Sequence, residues 1–432
     1  MFDLVKFELK KMLARKSTRY TCLAVAVALC AVMALNVAQT KTTSNTDEIL
    51  SGFDAIAQRQ ASAEAHAGLL TDERIASETA AYYDLAFSAL DPQAVAEMSD
   101  AAAYDAVQQA YGEQGARDLY GSGYWPWLFS AWGARGEEPI QIAARIGPAP
   151  EVSFYDGVAG KAQAILDDGK GGSWTYSDAE RAFWTDKQAE VATPFAYGYA
   201  GGWENIMNCL AFLSFAIIAV CAALAPVFAA EYQERTDSVI LSSRYGRSKL
   251  VAAKIVASLV FATAYFALCA GIAWAVSLCC HGVSGGSLPI QICAVASPYA
   301  LTMAQAAAVM TGIAYLMTLG FAALTLALSA ALRSVLSIFA VDVALVVLTG
   351  MIPSGGSGVL MHISVLFPTS GLVAPFMFWQ YMSYPIGGAV VDLVGMQAIV
   401  YGALFAACVP IAFAGIRRCS RCLARRLTVC SG

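Results

Sequence analysis

The chain has 432 residues, 58% hydrophobic and only 14% charged, with a mean hydropathy of +0.56. Soluble domains carry about 25% charged and about 45–50% apolar residues, so a single soluble enzyme of this size is excluded. The net charge of −5 hides a partition: residues 39–205 hold 10 Lys/Arg against 25 Asp/Glu, the remainder 17 against 7. One contiguous acidic block, with the basic residues beside apolar runs, excludes a basic nucleic-acid binder.

The leader, residues 1–19, places Phe2, Val5, Leu9 and Met12 on one helical face with Lys6 and Lys10 off it, the pattern of a helix lying in the inner membrane interface. A spanning helix needs about 20 mostly apolar residues. Six stretches qualify: 20–38, 206–230, 250–280, 299–332, 335–351 and 393–416. The first has a longer apolar core and a longer basic leader than a cleaved signal peptide, so it is read as a retained anchor.

Residues 39–205 read as a mainly helical extracytoplasmic domain between the first two spans. Asp91 followed by Pro92 is an N-cap with proline at the first helical position, predicting a helix that runs to Tyr111 and closes on Gly112. Ser177 and Glu180 have capping-box spacing and open a helix through about Glu190. Between them lies an aromatic patch, 120–132 (YGSGYWPWLFSAW). Its Trp125, Trp127, Phe129 and Trp132 fill the domain's core, rest on the lipid interface, or form an apolar docking surface for exported cargo. None of the 12 cysteines falls in this block, so it does not rely on disulfides.

A seventh apolar stretch, 359–382, contains His362, Pro368 and Pro375. With six spans and the N-terminus inside, all 17 basic residues outside the acidic block lie on the inner side, including Arg333 and the five arginines of the tail, 417–432. A seventh crossing would put those arginines outside, so residues 353–392 are read as an outer re-entrant or interfacial segment. The expected fold is an all-α polytopic membrane protein with six transmembrane helices.

Chemistry is sparse. There is no G-x-x-x-x-G-K-[ST] and no HExxH, and the only histidines are His66, His281 and His362. Gly282, Ser284 and Gly286 match G-x-S-x-G, but a nucleophile elbow needs a strand-to-helix turn, whereas this serine sits in a Gly-rich loop. Cys419 and Cys422 form a CxxC with no second pair or histidine nearby, which leaves zinc and redox chemistry without support. No catalytic, cofactor or metal site is therefore expected in this chain. Asp342 is the one acidic residue well inside a span, where a charge costs about 2.5–3.5 kcal/mol. It is either a carboxyl satisfied by a neighbouring helix or a contact on a substrate pathway. Small residues four or three apart, Ala308 with Gly312 and Gly320 with Ala323, suit close helix packing.

Between the second and third spans, residues 229–254 read AAEYQERTDSVILSSRYGRSKLVAAK. An acidic residue stands at the membrane exit, followed by a short apolar stretch, a Gly-Arg turn and a lysine entering the next span. With the leader FELKKMLARK, the span count and the large outer domain, this segment resembles the permeases of type-2 (ABC-2) ABC exporters. In that family the segment is a coupling helix that docks into an ATPase subunit. The resemblance implies that Glu231 and Thr236 open a coupling segment, 231–249, and that Val239, Ile240 and Leu241 contact the ATPase. It further implies that Gly246, Arg247 and Lys254 fix the return to the bilayer. Arg235, Thr236 and Asp237 depart from the family's usual Gly-Thr. The implied partners are a separate ABC ATPase carrying a Walker A motif, which binds the ATP, and a second copy of the permease or a related one. Both termini would face the cytoplasm from the cytoplasmic membrane. A sensor or assembly protein using the outer domain to bind ligand is the alternative. A secondary transporter comes third, since a lone Asp342 and no internal repeat argue against it.

Overall fold

The computed structural model describes residues 1–43, 49–120, 123–133, 137–172, 174–234, 249–351 and 358–429. The protein is an all-α membrane protein. Five helices are long and apolar enough to cross a bilayer: Lys16–Gln39, Gly201–Gln233, Lys249–His281, Met303–Ala331 and Leu393–Ala414. The sixth expected crossing is a 13-residue helix, Val335–Val347, continued by a 3-10 turn, Leu348–Met351. At 1.5 Å per residue the helix alone covers about 20 Å, against the roughly 30 Å of a hydrocarbon core. The described strands form short two-stranded antiparallel ladders, such as Ser383–Ile386 with Ala389–Asp392.

The bundle is built around the second and fourth spans, which are 67% and 72% buried, while the first and last are only 17% and 22% buried. Helices apolar on every side can occupy either position in a membrane, since lipid and protein are equally apolar. The fourth span starts at a capping box in which Thr302 accepts from the Gln305 N–H and Gln305 accepts from the Thr302 N–H. It runs beside the last span, and Gly320 is needed there: a Cβ would come within 2.9 Å of Tyr401. Ala308 and Gly312, by contrast, lie on the exposed face of the fourth span.

One expectation is corrected. The helix expected from Asp91 to Tyr111 is two helices, Pro92–Glu97 and Asp100–Tyr120. The first is capped by Asp91 as read, but Ser99 then caps a new start through the Ala102 N–H, and the chain stays helical on both sides of a kink at Gly112, where φ is +70°. The leader forms the helix Phe2–Ala14, with Glu8 and Met12 buried and Phe2 80% exposed. The aromatic patch is largely packed inside: Tyr124, Leu128 and Phe129 are fully buried, and Trp127 donates to the Gln291 carbonyl at 2.8 Å. Of the outer segment 353–392, the described part breaks into short pieces, Gly358–Ser364, Pro368–Gly371 and Pro375–Trp379, none long enough to cross.

The region between the first two spans is fastened to the bundle at the Ser177 capping box. Glu180, 2% exposed, accepts from the Ser177 N–H at 2.9 Å and also from the Ser383 hydroxyl at 2.8 Å. Lys187, two turns on, pairs with Asp392 and lies 3.9 Å from the Tyr299 ring centroid. Tyr176 donates to the Tyr381 carbonyl at 3.0 Å, and Tyr381 to that of Ala296 at 2.6 Å. One carboxylate therefore both starts a helix and anchors it to the strand leading into the last span. Glu180→Ala should lower stability by about 2–4 kcal/mol, combining a lost cap with a stranded buried hydroxyl. Glu180→Gln, which can still accept, should lose less; equal apparent melting temperatures for the purified Ala variant and the parent would refute the anchoring role.

Candidate functional site: an ionic tie beneath the second and third spans

Glu231 lies in the last turn of the second span and Lys254 in the second turn of the third. Although 23 positions apart in the chain, the two side chains form an ion pair. Lys254 is 2% exposed. An ammonium so far from water stays charged only beside a counter-charge, and Glu231 supplies it, with the Val227 carbonyl at 3.4 Å and the Phe228 ring at 5.5 Å. Glu231 also accepts from Lys11 of the leader helix at 3.2 Å.

The leader closes the cluster from the third side. Met12 is buried, with its sulfur 4.0 Å from the Ser258 hydroxyl on the third span. Glu8, 5% exposed, lines the same small space with Lys11, Arg15 and Lys254. Arg15, at the joint between leader and first span, donates to the Pro226 carbonyl at 3.4 Å. Burial pulls its guanidinium below the ordinary arginine range, opposed by Glu231, Glu234 and Glu8. Leader, second span and third span are thus held by one group of charges around Glu231.

Of the residues singled out in the sequence, the structure brings Glu231 and Lys254 together. Thr236, Val239, Ile240, Leu241, Gly246 and Arg247 lie outside the described residues. Glu8, Lys11 and Arg15 were not singled out for the site. Their one legible signal is that Glu8 falls a helical turn before Met12, putting a carboxylate on the apolar face of a basic leader.

Asp342 sits elsewhere, on the short helix Val335–Val347, and is 1% exposed. Its Oδ2 is 2.9 Å from the Thr325 hydroxyl of the fourth span, which itself reaches the Phe321 carbonyl at 2.8 Å. A hydroxyl has a single proton to give. When that proton goes to Phe321, the carboxyl must supply the one shared with Thr325, so this arrangement admits a neutral Asp342. The second carboxyl oxygen has no hydrogen-bond partner among the described residues.

Gly282, Ser284 and Gly286 follow the end of the helix Lys249–His281, with Gly282 at φ +90°. The turn leads from helix to loop, so the strand-to-helix geometry of a nucleophile elbow is not what surrounds Ser284.

Residues 4–387 match the family model described as ABC-2 family transporter protein. The chain belongs to that family. It is a multi-pass membrane permease, a transport subunit of an ABC transporter. No curated protein and no solved structure matches it.

In the permease the two members of the buried pair are unequally protected. Glu231→Gln leaves Lys254 buried without its counter-charge, a loss of about 3–5 kcal/mol. Lys254→Met leaves Glu231 with Lys11 and should cost clearly less. Thermal unfolding of both purified variants and the double variant checks this order: the double variant should lose less than the sum of the singles, and strict additivity would mean that the pair is not coupled. For Asp342, replacement by Asn keeps a donor toward Thr325, so Asp342→Asn should melt close to the parent and Asp342→Leu should melt lower. Equal losses in the two would discard the hydrogen bond as the reason for the residue.

Proposed function

We propose that this permease forms the membrane pathway of an ATP-driven exporter in the cytoplasmic membrane. Two permease copies, or this one and a related chain, pair with separate ATPase subunits that bind and hydrolyse the ATP. The supporting observation is the Glu231–Lys254 pair, which joins the two ends of the segment expected to dock on the ATPase. The permease carries no P-loop, so the energy must enter from a partner.

In this reading Val239, Ile240 and Leu241 contact the ATPase, with Thr236 opening the segment and Gly246 and Arg247 turning it back to the bilayer. Closure of the nucleotide-bound ATPase pair pulls on the segment. Because the Glu231 charges join leader, second span and third span, the pull moves these three as one body rather than unwinding a span. Both termini face the cytoplasm, residues 335–351 supply a further crossing, and residues 39–205 stand on the outer face. Positive charge supports that orientation: the leader, residues 235–254, Arg333 and the tail hold every Lys and Arg outside the acidic block.

The test is purification of the tagged permease from its native host in mild detergent. A stoichiometric soluble partner with a Walker A motif is expected, and Ile240→Asp should release it while membrane insertion stays normal. Intact permease with no such partner, or a partner indifferent to Ile240→Asp, would overturn the proposal.

A further inference from the structure

At the end of the bundle opposite the ionic tie, a cavity of about 500 Å³ opens where the first three spans meet the inter-span region. Its size is that of a small-ligand site. Its lining includes polar side chains from four elements: Asn36 near the end of the first span, Arg59 of the helix Phe53–Ala65, Glu204 and Asn208 at the start of the second span, and His281 closing the third.

The charges in this cavity are available. Arg59 and Glu204 both line it and are exposed, and no ion pair joins them among the described residues. Among the described residues Arg59 gives one hydrogen bond, to the Lys41 carbonyl at 2.7 Å, which leaves most of its five N–H donors toward the cavity. Asn208 is exposed one turn after Glu204. His281 is 7% exposed and its Nδ1 has no hydrogen-bond partner among the described residues. A guanidinium and a carboxylate that share a cavity without pairing select a ligand carrying both signs; a simple anion would meet Arg59 but be opposed by Glu204.

The surroundings indicate where the ligand comes from. Trp203, next to Glu204 in the chain, and Trp274, about two turns before His281, stand half-buried with their rings edge to face at 5.8 Å, the Trp203 indole donating to the Val283 carbonyl and that of Trp274 to Thr311. Indoles with one satisfied N–H and an apolar body mark the level of a membrane interface. The first span, whose Asn36 lines the cavity, exposes Leu23, Val27 and Leu35 along its length, at 62%, 59% and 54%. A polar cavity of both signs at the end of an exposed apolar span fits an amphiphile, with its head in the cavity and its tail along the span.

We infer that this cavity binds the zwitterionic headgroup of a membrane phospholipid, its phosphate on Arg59 and its ammonium on Glu204. The inference rests on the reading that places residues 39–205 at the outer bilayer surface, and is independent of any ATPase.

The test is native mass spectrometry of the purified full-length permease titrated with short-chain phosphatidylethanolamine, short-chain phosphatidylglycerol or soluble glycerophosphoethanolamine. Phosphatidylethanolamine should bind best. Arg59→Ala and Glu204→Gln should each weaken it about tenfold, the size of one charge-assisted contact. Arg59→Lys should retain most of the binding, which controls for folding of the Ala variant, and Glu204→Gln should leave phosphatidylglycerol undiminished. Phosphatidylethanolamine binding unchanged in both variants would overturn the site. A preference for phosphatidylglycerol governed by Arg59 alone would overturn the zwitterion, and equal affinity for soluble glycerophosphoethanolamine would overturn the lipid source. No ATP or partner enters the measurement, so its failure and that of the exporter proposal are separately visible.

Discussion

A lysine that is 2% exposed at the base of a membrane bundle must have a counter-charge, and this requirement organises one end of the permease. The ammonium of Lys254 cannot reach water, and burying it alone would cost several kcal/mol. Glu231 is available because the second span continues for about two turns past Pro226, to Gln233, which brings its carboxylate against the third span. Lys11 then compensates the carboxylate from the leader, so the leader is folded against the bundle rather than left on the membrane surface. Phe2 and Phe7 remain exposed on its other side, free for the bilayer interface.

The opposite end is held by a different device. Glu180, Tyr176 and Lys187 lie on or just before a single helix and fasten it to the strands and loops that precede the fourth and last spans. One end of the bundle is therefore tied by charges around a segment expected to meet an ATPase, and the other by hydrogen bonds and aromatic rings under a large helical region. Rigid spans between the two give a route by which a displacement at one end reaches the other.

Much of this was legible in the sequence. The spans stand out because apolar runs of that length have few other homes, and the caps at Asp91 and Ser177 start helices through their side-chain oxygens. The break at Ser99 was missed because a second cap inside a helical pattern competes with the first and packing decides between them. The apolar face of the leader was legible, but a hydrophobicity pattern does not show that a carboxylate, Glu8, is buried beside Met12 among cations from other elements. The family resemblance pointed to Glu231 and Lys254 as ends of one segment; that they bind each other, and Lys11 from 220 positions away, is set by the tertiary fold.

The central claim is that leader, second span and third span move as one body. Met12 and Ser258 touch across the leader and the third span, so Met12→Cys with Ser258→Cys, in a permease whose other cysteines are replaced, can be oxidised to a cross-link. Transport by the reconstituted complex with its ATPase should then proceed at the same rate with the cross-link formed or reduced. Transport lost on oxidation and regained on reduction would show that the leader and the third span separate during the cycle, and would contradict a single moving body.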